Sequence, residues 1–151
     1  LFGVTYALLD LAEEFPQKLE HTIIMETGGM KGQRKELLKE EIHSILKHSF
    51  AVENIHSEYS MTELLSQGYS KGDNIFNSPP WMKILIRDVN DPLSVIGNNK
   101  TGGINLIDLA NIYSCPFIAT QDLGRTFEDG SFSILGRLSN ADIRGCNLLL
   151  Q

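Results

Sequence analysis

The stretch that most constrains the fold is a strand, a glycine turn, a long amphipathic helix and a second strand, in that order. "HTIIMETGG", residues 21–29, sets β-branched residues ahead of two glycines and predicts a buried strand entering a tight loop. "KELLKEEIHSILKHSF", residues 35–50, then carries Leu38, Ile42, Ile45, Leu46 and Ser49 at helical spacing, with Lys39, Glu40 and Lys47 facing away. "AVENIHSEYS", residues 51–60, predicts the second strand. Two strands joined through a helix lie parallel, with a right-handed crossover.

Around this unit the signals change. Thr5 to Glu14 predicts a short helix ending near Pro16, and "WMKILIRDV", residues 81–89, a further strand. Beyond Pro92, "TGGINLIDL", "PFIATQDLG" and "EDGSFSILGR" alternate strand residues with turn residues, the pattern of an antiparallel meander. The expected fold class is α/β: a mixed sheet with a parallel strand-helix-strand unit followed by an antiparallel β meander. No linker rich in Pro, Gly or Ser marks a second full domain. Residues 1–137 read as one body and residues 138–151 as a hinge and the start of a small appendage.

Composition narrows the function classes. With 42% hydrophobic and 21% charged residues among 151, the chain has the profile of a single globular domain. No apolar run approaches the roughly 20 residues that span a bilayer, and no signal-peptide layout opens the chain. A cytoplasmic protein without membrane insertion is expected. A net charge of −6 with scattered basic residues argues against nucleic acid as a partner. Cys115 and Cys146 form no C-x-x-C pair and read as free thiols, and the four histidines show no ligand spacing, so no metal is assigned to them. The chain opens on "LFGVTYALLD" without methionine, inside an apolar element, which suggests a missing N-terminal portion.

Four constellations carry possible chemistry, and each has a plain alternative. Ser60 to Glu63 fits an S-x-x-E capping box at a helix entrance. It also follows a strand, where parallel sheets present their ligand-binding ends, with an aromatic, a threonine hydroxyl and a carboxylate suited to a base, a phosphate and magnesium. "METGGMKGQ", residues 25–33, is either a tight turn or a loop whose glycines admit a ring or phosphate; it lacks the Walker spacing. Asp122 either caps a turn or accepts from two ribose hydroxyls, while Arg137 follows a second glycine and Asp129-Gly130 forms the hairpin turn between them. Cys146, beside Arg144 and ahead of an apolar tail, is either buried or a thiolate favoured by the guanidinium.

In this order the four resemble the adenylate-forming superfamily of acyl and aryl ligases, over most of the chain. "YSMTE" is similar to the Y-G-x-T-E adenine and magnesium motif, "ATQD" to the T-x-D ribose motif, and "LGRLSNADIRG" to the G-R hinge; "TGGMKG" falls where that family sets a loop against adenine. Within it, "ETGGMKGQRKEL", "SEYSMTELLSQGY", "DLGRTFEDGSFSILGR" and "RGCNLLL" resemble the LuxE-type acyl-protein synthetases. The resemblance implies that residues 1–137 are the C-terminal part of an AMP-binding large domain and 138–151 the start of its C-terminal lid. It implies ATP and Mg2+ as cofactors, and activation of a fatty or other carboxylic acid as an acyl-adenylate. The acyl group would then pass to the thiol of Cys146 as a thioester, with an acyl reductase as partner. Phenylacetate–CoA ligase, with coenzyme A as acceptor, is the nearer alternative; a nucleotide-binding or docking module without turnover is another.

Position by position, the resemblance gives Tyr59 to adenine stacking, Gly28 and Gly29 to the ring edge, Thr62 to the phosphate and Glu63 to magnesium. Asp122 takes the ribose hydroxyls and Arg137 the ribose or hinge. Ser60 stands where the family has glycine. The family's Ser/Thr/Gly-rich pyrophosphate loop with its lysine is not among these residues, nor is the full lid with its catalytic lysine. The fragment alone is therefore expected to be inactive in adenylation while keeping weak AMP binding.

Overall fold

A computed structural model of the chain describes residues 1–30, 32–34 and 37–138. It opens with β1 (Phe2–Val4), α1 (Thr5–Glu14), β2 (Ile24–Thr27), α2 (Lys39–Phe50) and β3 (Ile55–Tyr59). β1, β2 and β3 pair in parallel, Met25 lying opposite both Phe2 and His56. The expected parallel pair is therefore present, extended by β1, a three-residue strand too short to show a period in sequence.

α1 and α2 pack against each other and against one face of these strands. Leu8, Leu9 and Ala12 from α1, Ile42, Leu46 and Phe50 from α2, and Ile24 and Ile55 from the strands form one core. α2 is favoured at both ends by charge: Glu40 and Glu41 stand in its first turn, Lys47 and His48 in its last. The Glu41 carboxylate accepts from Leu38 N–H at 2.9 Å. The buried face of α2 keeps Ile42 and Leu46 from the predicted stripe but is turned away from its other members. Leu38 and Ile45 are exposed, while His43 is buried, and Lys39 turns inward to pair with Glu26 at 2.8 Å.

The second half comprises β4 (Gly68–Ser70), β5 (Phe76–Asn77), β6 (Met82–Arg87), β7 (Val95–Ile96), β8 (Gly102–Asp108), a 3-10 turn at Leu109–Asn111, β9 (Phe117–Thr126) and β10 (Phe132–Arg137). β8, β9 and β10 form the expected antiparallel meander, with β6 along the other side of β8. All ten strands make one sheet, in the order β1-β2-β3-β4-β5-β10-β9-β8-β6-β7. A second core of Leu64, Phe76, Met82, Ile84, Ile86, Ile104, Leu106 and Phe132 lies under the antiparallel part. No helix among the described residues is long and apolar enough to cross a membrane.

Under the ends of the parallel strands sits Glu26, only 3% exposed. Burial alone would raise its carboxyl, yet the His43 ring, the Lys39 ammonium and Ser57 together hold it down at about 2. Thr5 Oγ1 donates to its other oxygen at 2.8 Å. A depressed carboxylate adds stability that is complete above the ordinary value of 4.5 and disappears as pH falls toward 2. Glu26→Gln is accordingly expected to cost about 3 kcal/mol at pH 7. Denaturant titrations should show the gap between variant and wild type closing as pH drops from 5 to 2.

Candidate functional site

The site candidates gather where the parallel and antiparallel parts of the sheet meet. Tyr59 ends β3, and its ring stands edge-on to Phe76 and Phe132, with centroids 6.3 and 5.8 Å away. Phe76 and Phe132 stack at 5.5 Å. This aromatic trio fills the junction and aims the Tyr59 hydroxyl at β9, where it donates to Asp122 Oδ2 at 2.7 Å.

Arg137 reaches the same carboxylate from β10, its Nε 3.5 Å from Asp122 Oδ1, while another guanidinium nitrogen donates to Gln121 Oε1 at 3.0 Å. A β-bulge makes this meeting possible. The pairing of β10 with β9 shifts between Ile134 and Gly136, which brings Arg137 opposite Asp122 instead of one residue beyond it. Gly136 supplies the backbone for the shift at φ 128°, a conformation that disfavours residues with a Cβ.

Asp122 is 8% exposed. Burial pushes its carboxyl above the usual range; the Tyr59 hydroxyl, Arg137 and Arg87 pull the other way without fully offsetting it. Burial first, and then the Asp122 charge, drive the Tyr59 phenol far upward, so it stays a donor at neutral pH. The result is a largely buried carboxylate held between a phenol and a guanidinium.

Arg87 supports this floor and was not singled out by its sequence context. It is 8% exposed, and its guanidinium donates to Ile104 O at 2.8 Å, to Asn105 Oδ1 at 2.7 Å and to Thr120 O. A Cβ on Gly103 would stand 2.6 Å from Arg87 Cζ, so the glycine makes the space that the guanidinium fills. Thr120 Oγ1 in turn accepts from Asp122 N–H at 3.1 Å. The one available hint was an arginine ending the apolar run "KILIR".

The segment after Tyr59 corrects one expectation: Ser60–Glu63 opens no helix. Residues 60–67 form turns that lead into β4. Ser60 Oγ donates to Glu58 Oε1 at 2.8 Å, so it caps no helix terminus. The turn is held from a distance by Asp108, which is fully buried and accepts from Leu65 N–H at 3.1 Å, Ser66 N–H at 2.8 Å and Ser66 Oγ at 2.7 Å. Burial alone would raise this carboxyl, but those donors and the Ala110 N–H leave it lowered. Asn111 Nδ2 adds a bond to Glu63 O at 2.7 Å. Thr62 and Glu63 themselves point to solvent.

Gly28 and Gly29 follow directly on β2, Gly28 at φ 68° and exposed, Gly29 buried. The structure thus unites Tyr59, Asp122 and Arg137 in one cluster and sets Gly28–Gly29 and Thr62–Glu63 on the loops that leave the two neighbouring strands β2 and β3. Cys146, with Arg144 and Gly145, lies outside the described residues. Among the described residues no group of three His, Cys, Asp or Glu side chains could hold a metal ion by itself. Glu63, the expected magnesium ligand, stands exposed on the turn after β3.

The chain matches no protein-family model and no curated protein. Solved structures do share its fold. MatB from Rhodopseudomonas palustris with ATP bound matches with a TM-score of 0.68 and 17% identity over 95% of this chain and 31% of its own. O-succinylbenzoate coenzyme A synthetase from Bacillus subtilis, in complex with ATP and magnesium, gives 0.61 and 21% over 95% and 32%. A benzoate CoA ligase from Burkholderia xenovorans gives 0.56 and 16% over 90% and 30%. The chain spans about a third of the length of these structures. The expected architecture, a mixed sheet with a parallel strand-helix-strand unit followed by an antiparallel meander, is the one observed, and these structures share it.

Two buried aspartates are expected to behave in opposite ways. Asp122→Asn removes a charge that burial disfavours, so its melting temperature at pH 7 should be no lower than that of wild type. Asp108→Ala strands three or more donors and should cost about 3 kcal/mol. Thermal and denaturant melts of the two variants side by side check both signs.

Proposed function

We propose that this chain is the nucleoside-holding portion of an adenylate-forming ligase that activates a carboxylic acid with ATP. The observation that carries this reading is the incompletely compensated Asp122 carboxylate, bonded to Tyr59 and faced by Arg137, in a fold shared with ATP-bound structures. Asp122 accepts the two ribose hydroxyls, Tyr59 offers a ring to the adenine, and Gly28 and Gly29 let the backbone approach its edge. Arg137 holds the ribose side or the hinge. Residues 1–137 belong to the large domain and residues 138–151 begin the lid.

Thr62, on the exposed turn, donates its hydroxyl to a phosphate oxygen, and Glu63 holds the magnesium ion, which when bound offsets phosphate charge. With the nucleotide so oriented, the substrate carboxylate attacks the α-phosphorus, an acyl-adenylate forms and pyrophosphate leaves. The acceptor we assign is the Cys146 thiol: its thiolate attacks the acyl carbonyl, a thioester forms and AMP leaves with the bonding electron pair. The acid is a fatty acid on the likeness of "RGCNLLL" to acyl-protein synthetases, and an acyl reductase is the partner that would use the thioester. Transfer to coenzyme A is the second reading, favoured by the coenzyme A ligases among the structures of this fold.

Two experiments on the complete gene product test this. AMP affinity by calorimetry should fall about tenfold or more in Asp122→Asn, because charge-assisted hydrogen bonds to the ribose are lost. Incubation with ATP, magnesium and labelled fatty acid should leave hydroxylamine-labile label on wild type and none on Cys146→Ser. Label retained by Cys146→Ser would remove that residue as acceptor. AMP formed only with coenzyme A would identify an acyl-CoA ligase, and neither product would leave a binding module without turnover.

A further inference from the structure

One carboxylate ties together the two loops that flank the proposed nucleotide site. Glu58 Oε1 accepts from Ser60 Oγ at 2.8 Å and from Thr27 Oγ1 at 3.2 Å. Thr27 and Glu58 face each other across the parallel pair β2–β3, and Glu58 faces Tyr69 across the antiparallel pair β3–β4. Burial first, and then the Glu58 charge, push the Tyr69 phenol upward. Three elements therefore converge on a single half-buried side chain.

The position of its partners gives Glu58 its leverage. Thr27 is the last residue of β2 and directly precedes Gly28, so fixing its side chain fixes the exit of the glycine loop. Ser60 directly follows Tyr59 and begins the turn to Thr62 and Glu63. A hydroxyl with no acceptor there would seek backbone partners nearby and change the course of the turn. With both hydroxyls on one oxygen, the two loops share one anchor.

We propose that Glu58 is a positioning residue for nucleotide binding, its Oε1 clamping the Gly28–Gly29 loop and the Tyr59–Glu63 turn in mutual register; this rests on the nucleotide-holding reading above. The carboxylate acts as an acceptor, so the clamp depends on its oxygen and not on its charge. Glutamine keeps the acceptor oxygen and drops the charge. Alanine drops both.

AMP binding to the complete gene product, by calorimetry, with a thermal melt for each variant, tests the clamp. Glu58→Ala should raise the Kd about tenfold, the loss of two hydrogen bonds' worth of ordering, and Glu58→Gln should stay within about twofold of wild type. Thr27→Val, which removes one donor at nearly constant volume, should weaken binding by a few fold and carries the test if Glu58→Ala does not fold. Ser60→Ala combined with Glu58→Ala should weaken binding by less than the product of the two single effects. Unchanged affinity in Glu58→Ala or Thr27→Val, or an equal loss in Glu58→Gln and Glu58→Ala, would overturn the clamp while wild type still binds AMP. Absence of AMP binding by wild type would overturn both the clamp and the reading beneath it.

Discussion

The structure depends on a seam. Between β5 and β10 the ten-stranded sheet is joined by a single residue pair, Phe76 opposite Phe132, and β4 and β5 on the near side are three and two residues long. So little backbone pairing does not hold two half-sheets in register; side chains must do it. The stacked Phe76 and Phe132 rings and the edge of Tyr59 fill the seam, each such pair adding about 1 kcal/mol beyond the area it buries. Gly68 is part of the fit, because a Cβ there would lie 2.7 Å from Phe132 Cζ. Lys39 completes it from α2, its ammonium 5.4 Å from the Phe76 ring centre while it pairs with Glu26.

Buried charge follows two policies in this chain. Glu26 and Asp108 are supplied with enough donors to stay ionised in spite of burial, and both stabilise the backbone around them. Arg87 spends its guanidinium on two carbonyl groups and an amide oxygen and acts as a brace between β6, β8 and β9. Of Glu26, Asp108 and Asp122, only Asp122 is left with burial uppermost.

How much of this was readable in the sequence follows the range of the forces involved. β2, α2, β3 and the β8–β10 meander carry their own periodicity and turn residues, and they were legible. β1, β4, β5 and β7 are two to three residues long and exist only because a neighbouring strand offers hydrogen bonds, so no local pattern announces them. Ser60–Glu63 misled because its capping pattern is local while the acceptor that shapes the turn, Asp108, lies more than 40 residues away. Lys39 misled for a related reason: helical spacing labels a lysine as outward unless a buried carboxylate on another element claims it. Tyr59 and Arg137 do end their strands, as their local patterns indicated, whereas Asp122 caps no turn and ends no strand: it lies inside β9, where the bulge in β10 sets it opposite Arg137. Arg87 and Glu58 were not legible, since their partners are backbone carbonyls and hydroxyls with no signature of their own.

The seam also bears on how the molecule comes apart. The second core itself crosses the seam, Leu64 and Phe76 on the near side packing with Ile84, Ile104 and Phe132 on the far side, while a single backbone pair joins the strands. The seam is therefore a joint made of side chains, and its opening would expose that shared core. Tyr59 stands on the near side and Asp122 on the far side, so their 2.7 Å contact exists only while the joint is closed. A molecule bridging that contact would act as a rivet, fastening the sheet where its backbone pairing is thinnest.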